Sequence, residues 1–128
     1  MYPNDFRYTK DHEWIKVEGD EAVVGITDFA QNQLGDIIYV ELPAVGKELA
    51  ARQSLGVVES VKSVSDVYAP VPGVVTAVNE ALAQTADLLN KDPHGQGWTV
   101  RIRMKDKKDV ESLFKAGDYE KFLEGLEH

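Results

Sequence analysis

Short runs rich in Val, Ile and Tyr, broken by turn residues, recur from residue 12 to residue 104. Such runs predict a mainly β protein. Residues 98–104 alternate most clearly, with Trp98, Val100, Ile102 and Met104 on one face and Thr99, Arg101 and Arg103 on the other. Successive strand side chains point to opposite faces, so the first set is expected in a core and the second in water. Residues 12–18 and 21–26 read as a hairpin about Gly19 and Asp20. After it, Thr27 is placed to cap a short helix near 28–34, with Asp28 favourable in its first turn and Gly35 at its end. Strands are expected again at 36–42, stopped by Pro43, and at 54–60, 65–69 and 73–79.

The period changes towards the C-terminus. Val110, Leu113 and Phe114 fall at i, i+3 and i+4, and Tyr119, Phe122, Leu123 and Leu126 continue that spacing after Gly117. Two amphipathic helices near 107–125 are the simplest reading, covering part of the sheet or offering a face to a partner. A weak repeat, V-x-x-P-x-x-G, occurs at Val40 to Gly46 and at Val67 to Gly73. Leu49 and Leu55 follow the first copy, and Leu82 and Leu88 the second. It implies two similar β units packed face to face, with 60–65 at their junction.

The length of 128 residues fits one domain with a core that needs no disulfide or metal staple. A net charge of -8, from 14 basic and 22 acidic residues, argues against binding to nucleic acid or an anionic membrane surface. No cysteine is present, which removes disulfides, thiolate metal sites and thiol nucleophiles. The histidines are His12, His94 and the terminal His128, a poor set for zinc. Neither G-x-S-x-G, G-x-G-x-x-G nor a P-loop occurs, which tilts the reading away from a self-contained enzyme. Apolar runs are too short to span a bilayer, and residues 1–10 show no secretory h-region. The expected compartment is the cytoplasm, or a mitochondrial matrix if the chain is a processed eukaryotic one.

The most informative segment runs from Gly56 to Pro70. A strand enters, a polar break follows and a strand leaves, so Lys62 is expected to project its ammonium from a hairpin tip. A solvated lysine is protonated near neutral pH and is a poor nucleophile. At such a tip it is either a plain surface charge or an attachment point that a modifying enzyme can reach.

The string Glu59-Ser60-Val61-Lys62, followed by Ser65-Asp66-Val67-Tyr68-Ala69-Pro70, closely resembles the glycine cleavage system H protein family. The likeness includes Tyr8-Thr9-Lys10, His12-Glu13-Trp14, Val24-Gly25-Ile26-Thr27, Leu34-Gly35-Asp36, Val40-Glu41-Leu42-Pro43 and Gly97-Trp98, and so covers nearly the whole chain. It implies a barrel-sandwich hybrid, the lipoyl/biotinyl-carrier-like architecture of two antiparallel sheets. This would be one lipoyl-carrier domain over 1–128, with a core at about 8–104 and a helical C-terminal extension at about 106–126. It implies lipoate in amide linkage on Lys62. The arm would accept an aminomethyl group from the pyridoxal-phosphate-dependent glycine decarboxylase and present it to a tetrahydrofolate-dependent aminomethyltransferase. Dihydrolipoyl dehydrogenase would then reoxidise it. The protein would be a monomeric shared substrate of these partners and of a lipoyl-attaching enzyme, not a catalyst.

The same resemblance implies that Glu59 and Gly73 help the lipoyl-attaching enzyme recognise the hairpin. The residues alone also allow an edge-strand carboxylate at Glu59 and a positive-φ turn at Gly73. Glu13 and Asp66 match acidic positions along the family's arm-docking groove, where a carboxylate would hold a protonated amine. Otherwise they are solvated surface acids. His12 is read as flanking a strand and Trp14 as core or groove wall. Asp11 stands where some relatives carry serine, which alters the groove's charge, and Pro72 replaces a frequent serine. Biotin is disfavoured because Val61 and Ser63, not methionines, flank Lys62. An H-like carrier in lipoate relay or sulfur oxidation, and an unmodified interaction module, are the competing readings.

Overall fold

Nearly all the expected strands form, and they pair antiparallel throughout. The structure, a computed structural model, describes residues 2–126, so His128 lies outside the described residues. Strands β1 (Arg7–Tyr8), β2 (Glu13–Glu18) and β3 (Glu21–Ile26) are followed by helix α1 (Asp28–Leu34). Then come β4 (Ile37–Glu41), β5 (Glu48–Leu49), β6 (Ser54–Ser60), β7 (Val64–Tyr68) and β8 (Gly73–Val78). A 3-10 turn (Glu80–Ala83), the one-turn helix α2 (Leu88–Lys91) and β9 (Val100–Met104) lead to a second 3-10 segment (Lys107–Ser112) and α3 (Ala116–Leu126).

One sheet has six strands in the order β1-β2-β3-β9-β8-β5, and the other has three in the order β4-β6-β7. Neither closes into a barrel. A single core cluster draws on both sheets, with Ile15, Val24, Val75 and Ile102 from the first and Val40, Val58 and Val67 from the second. This is the two-sheet architecture expected from the sequence.

Local chemistry explains the joints. Gly19, at φ 67°, is the first central residue of the β2–β3 turn, where a two-residue hairpin loop calls for positive φ. Thr27 Oγ1 accepts from the Ala30 N–H at 3.2 Å, capping α1 as expected. Gly35, at φ 79°, ends that helix, and its N–H donates to Gln31 O.

Three expectations need correction. Thr99 is fully buried rather than in water, because its Oγ1 donates to Val24 O at 2.8 Å. Trp98 lies before the strand, where its N–H donates to Gly95 O, and it packs beside a second, aromatic cluster. The segment at Lys107–Ser112 is 3-10 rather than α-helical. Phe114 then returns to extended pairing with Tyr8.

Helix α3 covers the outer side of the large sheet, as one of its two expected roles. Tyr119 and Leu123 are buried against Tyr8, Trp14 and Phe6, with the Tyr8 and Tyr119 rings stacked at 4.8 Å. The Tyr119 hydroxyl bridges His12 Nδ1 and Thr27 Oγ1, each at 2.8 Å. It thereby ties α3 to the residue before β2 and to the α1 cap.

The two copies of the repeat share a buried valine, but both valines lie in one sheet rather than in two units packed face to face, and residues 60–65 are a hairpin tip within that sheet. Val40 and Val67 are buried on β4 and β7, the strands either side of β6. Gly46 has φ 94°, a turn conformation, whereas Gly73 has no positive φ. Gly73 is buried in β8 between Leu49 and Met104, and a Cβ there would collide with the Arg103 carbonyl and the Ile102 side chain. Close approach, not turn geometry, accounts for this glycine. Gly73→Ala is expected to lower stability by about 1–3 kcal/mol, the range for overpacked sites, read as a lower thermal midpoint. An unchanged midpoint would show that β8 and β9 can separate at no cost.

Candidate functional site

The β6–β7 hairpin places Lys62 at its tip. Glu59 and Val64 are the last paired residues, and the Ser60 N–H donates to Ser63 O at 2.8 Å, so Val61 and Lys62 are the two central turn residues. Ser60 is buried, and its hydroxyl organises the turn. Ser60 Oγ accepts from the N–H groups of Lys62 at 3.3 Å and Ser63 at 3.1 Å. A serine side chain that takes over turn N–H groups in this way stiffens the loop.

The tip is also anchored from below. The Val61 N–H donates to Asp36 O at 3.0 Å. Asn90, on α2, accepts from the Ile37 N–H and donates to Gly35 O and Gln31 Oε1, each at 2.9 Å. The α1–β4 corner is thus a fixed floor for the hairpin. Lys62 is exposed, but it does not stand straight out. A Cβ added at Gly35 would lie 3.3 Å from Lys62 Cε and 3.9 Å from Nζ, so the stem rests over that glycine.

Exposed apolar side chains occur on the hairpin and on the strand beside it. A register shift between Ile37 and Tyr39 is a β-bulge at Ile38, which turns both Ile38 and Tyr39 outward. With Val61 and Val64 they make four large apolar side chains, each more than half exposed. Glu59 lies between Tyr39 and Val64 in register. It is half-buried on the middle strand of its sheet, not on an edge as the sequence alone allowed. Asp66 is exposed further down β7, where its Oδ1 accepts from Ser54 Oγ at 2.9 Å.

Glu13 has a different setting. It is 2% exposed, so it is no solvated surface acid. It lines a cleft of about 340 Å³ beyond the base of β7, together with Thr9, Lys10, Asp11, Arg52 and Pro70 among others. Thr9 Oγ1 donates to Glu13 Oε1 at 2.6 Å and accepts from the N–H groups of Glu13 and Asp11. The Tyr68 N–H reaches Glu13 Oε2 at a long 3.4 Å. Burial, with Asp11 adding to it, pushes the Glu13 carboxyl up to about 7 against the opposing pull of Thr9, Tyr68 and Arg52. Asp66 is two residues from Tyr68 on the same strand and does not line this cleft.

Among the described residues, His12 (φ 69°) and Arg52 (φ 67°) are the non-glycine positions with positive φ, and both adjoin this cleft. Arg52 Nη2 is 2.7 Å from Asp11 Oδ2, with the two side chains 65% and 29% exposed. A left-handed non-glycine residue costs on the order of 1–3 kcal/mol, and an exposed ion pair contributes about 0–1 kcal/mol, so the pair does not offset the strain. Burial holds the His12 imidazole below its usual range, despite Asp11, consistent with a neutral ring bonded to Tyr119. His94 Nε2 accepts from the Asp28 N–H, so both described histidines have structural partners. Among the described residues no group of three or more His, Cys, Asp or Glu could hold a metal ion. No helix there is long and apolar enough to cross a membrane. Trp14 is core, its indole N–H donating to Pro93 O at 2.8 Å.

Residues 6–126 match the family model described as glycine cleavage H-protein. The chain belongs to the glycine cleavage H-protein family. Its role is that of a lipoyl carrier in the glycine cleavage system. It is 57% identical over 120 residues to glycine cleavage system H protein 1 of Caldanaerobacter subterraneus, covering 94% of this chain and 95% of that one. Identity to the glycine cleavage system H protein of Carboxydothermus hydrogenoformans is 50% over 124 residues, covering 97% and 95%. The crystal structure of a glycine cleavage system H protein from Mycobacterium marinum superposes with a TM-score of 0.88 at 38% identity, covering 96% of this chain and 99% of that one. Family membership agrees with the resemblance read from the hairpin and its flanks.

The sequence reading missed Ser60, Gly35 and Asn90 as supports of the lysine turn, and Thr9 and Arg52 as partners in the Glu13 cleft. Thr9 and Gly35 sit inside strings that carried the family resemblance. Nothing in the sequence signals the left-handed backbone of Arg52.

Proposed function

We propose that Lys62 bears lipoate in amide linkage and that this chain carries the aminomethyl unit of glycine between enzymes without catalysing a step itself. The observation that supports this is an exposed lysine on a doubly braced turn, its stem over a bare glycine, with exposed apolar side chains on its hairpin and on the strand beside it. Such a site suits a long apolar arm, because acylation removes the lysine charge and those side chains match the arm. When bound, the group supplies a disulfide that opens to take the aminomethyl unit and is later restored by reoxidation. The partners are glycine decarboxylase, an aminomethyltransferase, dihydrolipoyl dehydrogenase and a lipoyl-attaching enzyme. The protein works as a cytoplasmic monomer, since all four need the same tip.

Glu59, three residues before Lys62 and flanked by Tyr39 and Val64, is the recognition residue for the attaching enzyme. Gly73 assists only by letting β8 lie close to β9. Asp66 offers a carboxylate on the way from tip to cleft, and Glu13 receives the protonated amine there. An arriving ammonium favours the ionised form of Glu13, so filling the cleft draws this carboxyl, which titrates near 7, towards a charge-assisted contact.

Intact mass and peptide mapping after incubation with lipoate, ATP and a lipoyl-attaching enzyme test the assignment. One added lipoyl group, located on Lys62, is expected. A folded protein that gains nothing from an active enzyme would overturn it and bring the unmodified interaction module forward.

A further inference from the structure

The Asp11–Arg52 pair at the Glu13 cleft has no adequate explanation in stability. Arg52 holds a left-handed backbone that glycine would adopt without strain. The Ala50–Gln53 turn holds this backbone, with the Gln53 N–H donating to Ala50 O at 3.1 Å and the Arg52 N–H to Ala69 O at 2.8 Å, and it leaves the side chain facing the cleft. The guanidinium sits 2.7 Å from Asp11 Oδ2, an oxygen enclosed from water that receives no well-directed hydrogen bond. Arg52 neutralises it as a charge rather than binding it as a fork. Glu13 is the buried carboxyl of the cleft, and Ala51, Ala69, Pro70, Leu113 and Phe114 line its sides. Apolar walls with a buried carboxyl and a second, more exposed carboxylate suit a primary ammonium at the end of an alkyl chain.

We infer that Arg52 moderates how tightly this cleft holds an amine: its guanidinium is a resident cation that occupies the Asp11 carboxylate while the cleft is empty and that an incoming alkylammonium displaces. This rests on the reading of the cleft as an ammonium site given above. An uncharged chain end gains nothing from Asp11 and leaves Arg52 in place. A charged one takes over Asp11 and meets Glu13. The exchange therefore lowers the affinity for an arm that carries an amine and leaves that for an uncharged arm unchanged, so the loaded arm is held and released readily. Because the guanidinium is 65% exposed, the barrier the pair sets is small and the exchange readily reversible. Lys10, the other cation of the lining, adds a repulsion that Arg52 substitutions leave unchanged.

The test uses the full chain without lipoate, near pH 8 and at constant ionic strength. Butylammonium and 1-butanol are the probes, and the ¹³C shift of the Glu13 carboxyl is the readout. Arg52→Gln removes the resident cation, and Arg52→Gly also relieves the backbone, so a folded variant is assured. Both are expected to bind butylammonium roughly two- to fivefold more tightly than the parent chain, the equilibrium equivalent of an exposed ion pair, with butanol unchanged. In an Asp11→Asn background the same Arg52 substitutions are expected to give no gain, since nothing is left to compete for. Weaker binding of both probes by the Arg52 variants would make the pair a strap holding the walls and overturn the inference. A gain that persists with Asp11→Asn would reduce it to general charge repulsion and also overturn it. If neither the parent chain nor any variant binds butylammonium, the ammonium-site reading fails and the inference with it.

Discussion

Replacing Lys62 by arginine is expected to abolish lipoyl incorporation and reduce glycine-dependent carbon dioxide exchange to background, with thermal unfolding unchanged within about 0.5 kcal/mol. The substitution keeps the charge, and the long stem can still lie over Gly35. The turn itself does not depend on the side chain, because Ser60 Oγ bonds the backbone N–H of Lys62. What is lost is chemistry. An ammonium can surrender protons and become an acyl-accepting amine, whereas a guanidinium stays protonated and forms no such amide. Incorporation is read by intact mass and exchange by labelled carbon dioxide with the partner decarboxylase. Full exchange activity in the arginine variant would remove the carrier assignment, because only a non-covalent role tolerates that change.

The second large effect concerns Glu13. Glu13→Gln is expected to stabilise the protein, and the gain should grow with pH. A glutamate in the unfolded chain ionises near 4.3. In the fold, burial and Asp11 push it up to about 7. Between these values the native state holds a proton that the unfolded state has released, so stability falls as pH rises. The loss is complete above about pH 7 and is on the order of 3 kcal/mol for a shift of this size. Glutamine never ionises and can still accept from Thr9, so the variant escapes that loss. Urea midpoints should nearly coincide near pH 4 and separate by about pH 8. A gap that does not widen with pH would mean that Glu13 is already ionised in the fold. The same substitution should also impair holding of a protonated amine, which would mark the buried acid as retained for function at the expense of stability.

How much of this was legible beforehand differs from residue to residue. The Lys62 turn could be read because a strand, a polar break and a strand lie consecutively in the chain, and both strands form. The cap at Thr27 and the stop at Gly35 could be read because capping is a local exchange between a side chain and the next turn. An edge position for Glu59 stayed open because strand order is not a local property; β4 and β7 pair on either side of β6 only in the assembled sheet. Alternation failed at Thr99 because a buried hydroxyl is tolerated wherever a carbonyl is in reach, and Val24 O provides one from a neighbouring strand. The bulge at Ile38 likewise defeated a strict period of two.

The sequence by itself determined the seven longer strands but not the two-residue β1 and β5, together with the capped helix, the lysine turn and the family, because each depends on residues that are neighbours along the chain or on motifs read in order. Tertiary structure decided the state of the chemistry. Glu13 became an acid titrating near 7 because the packed segments bury it, against the opposing pull of the Tyr68 N–H 55 positions away. His12 was assigned to Tyr119, 107 positions away, and Asp11 to Arg52. Ionisation and charge pairing depend on burial and on distances between atoms, and those quantities exist only once distant segments are packed together.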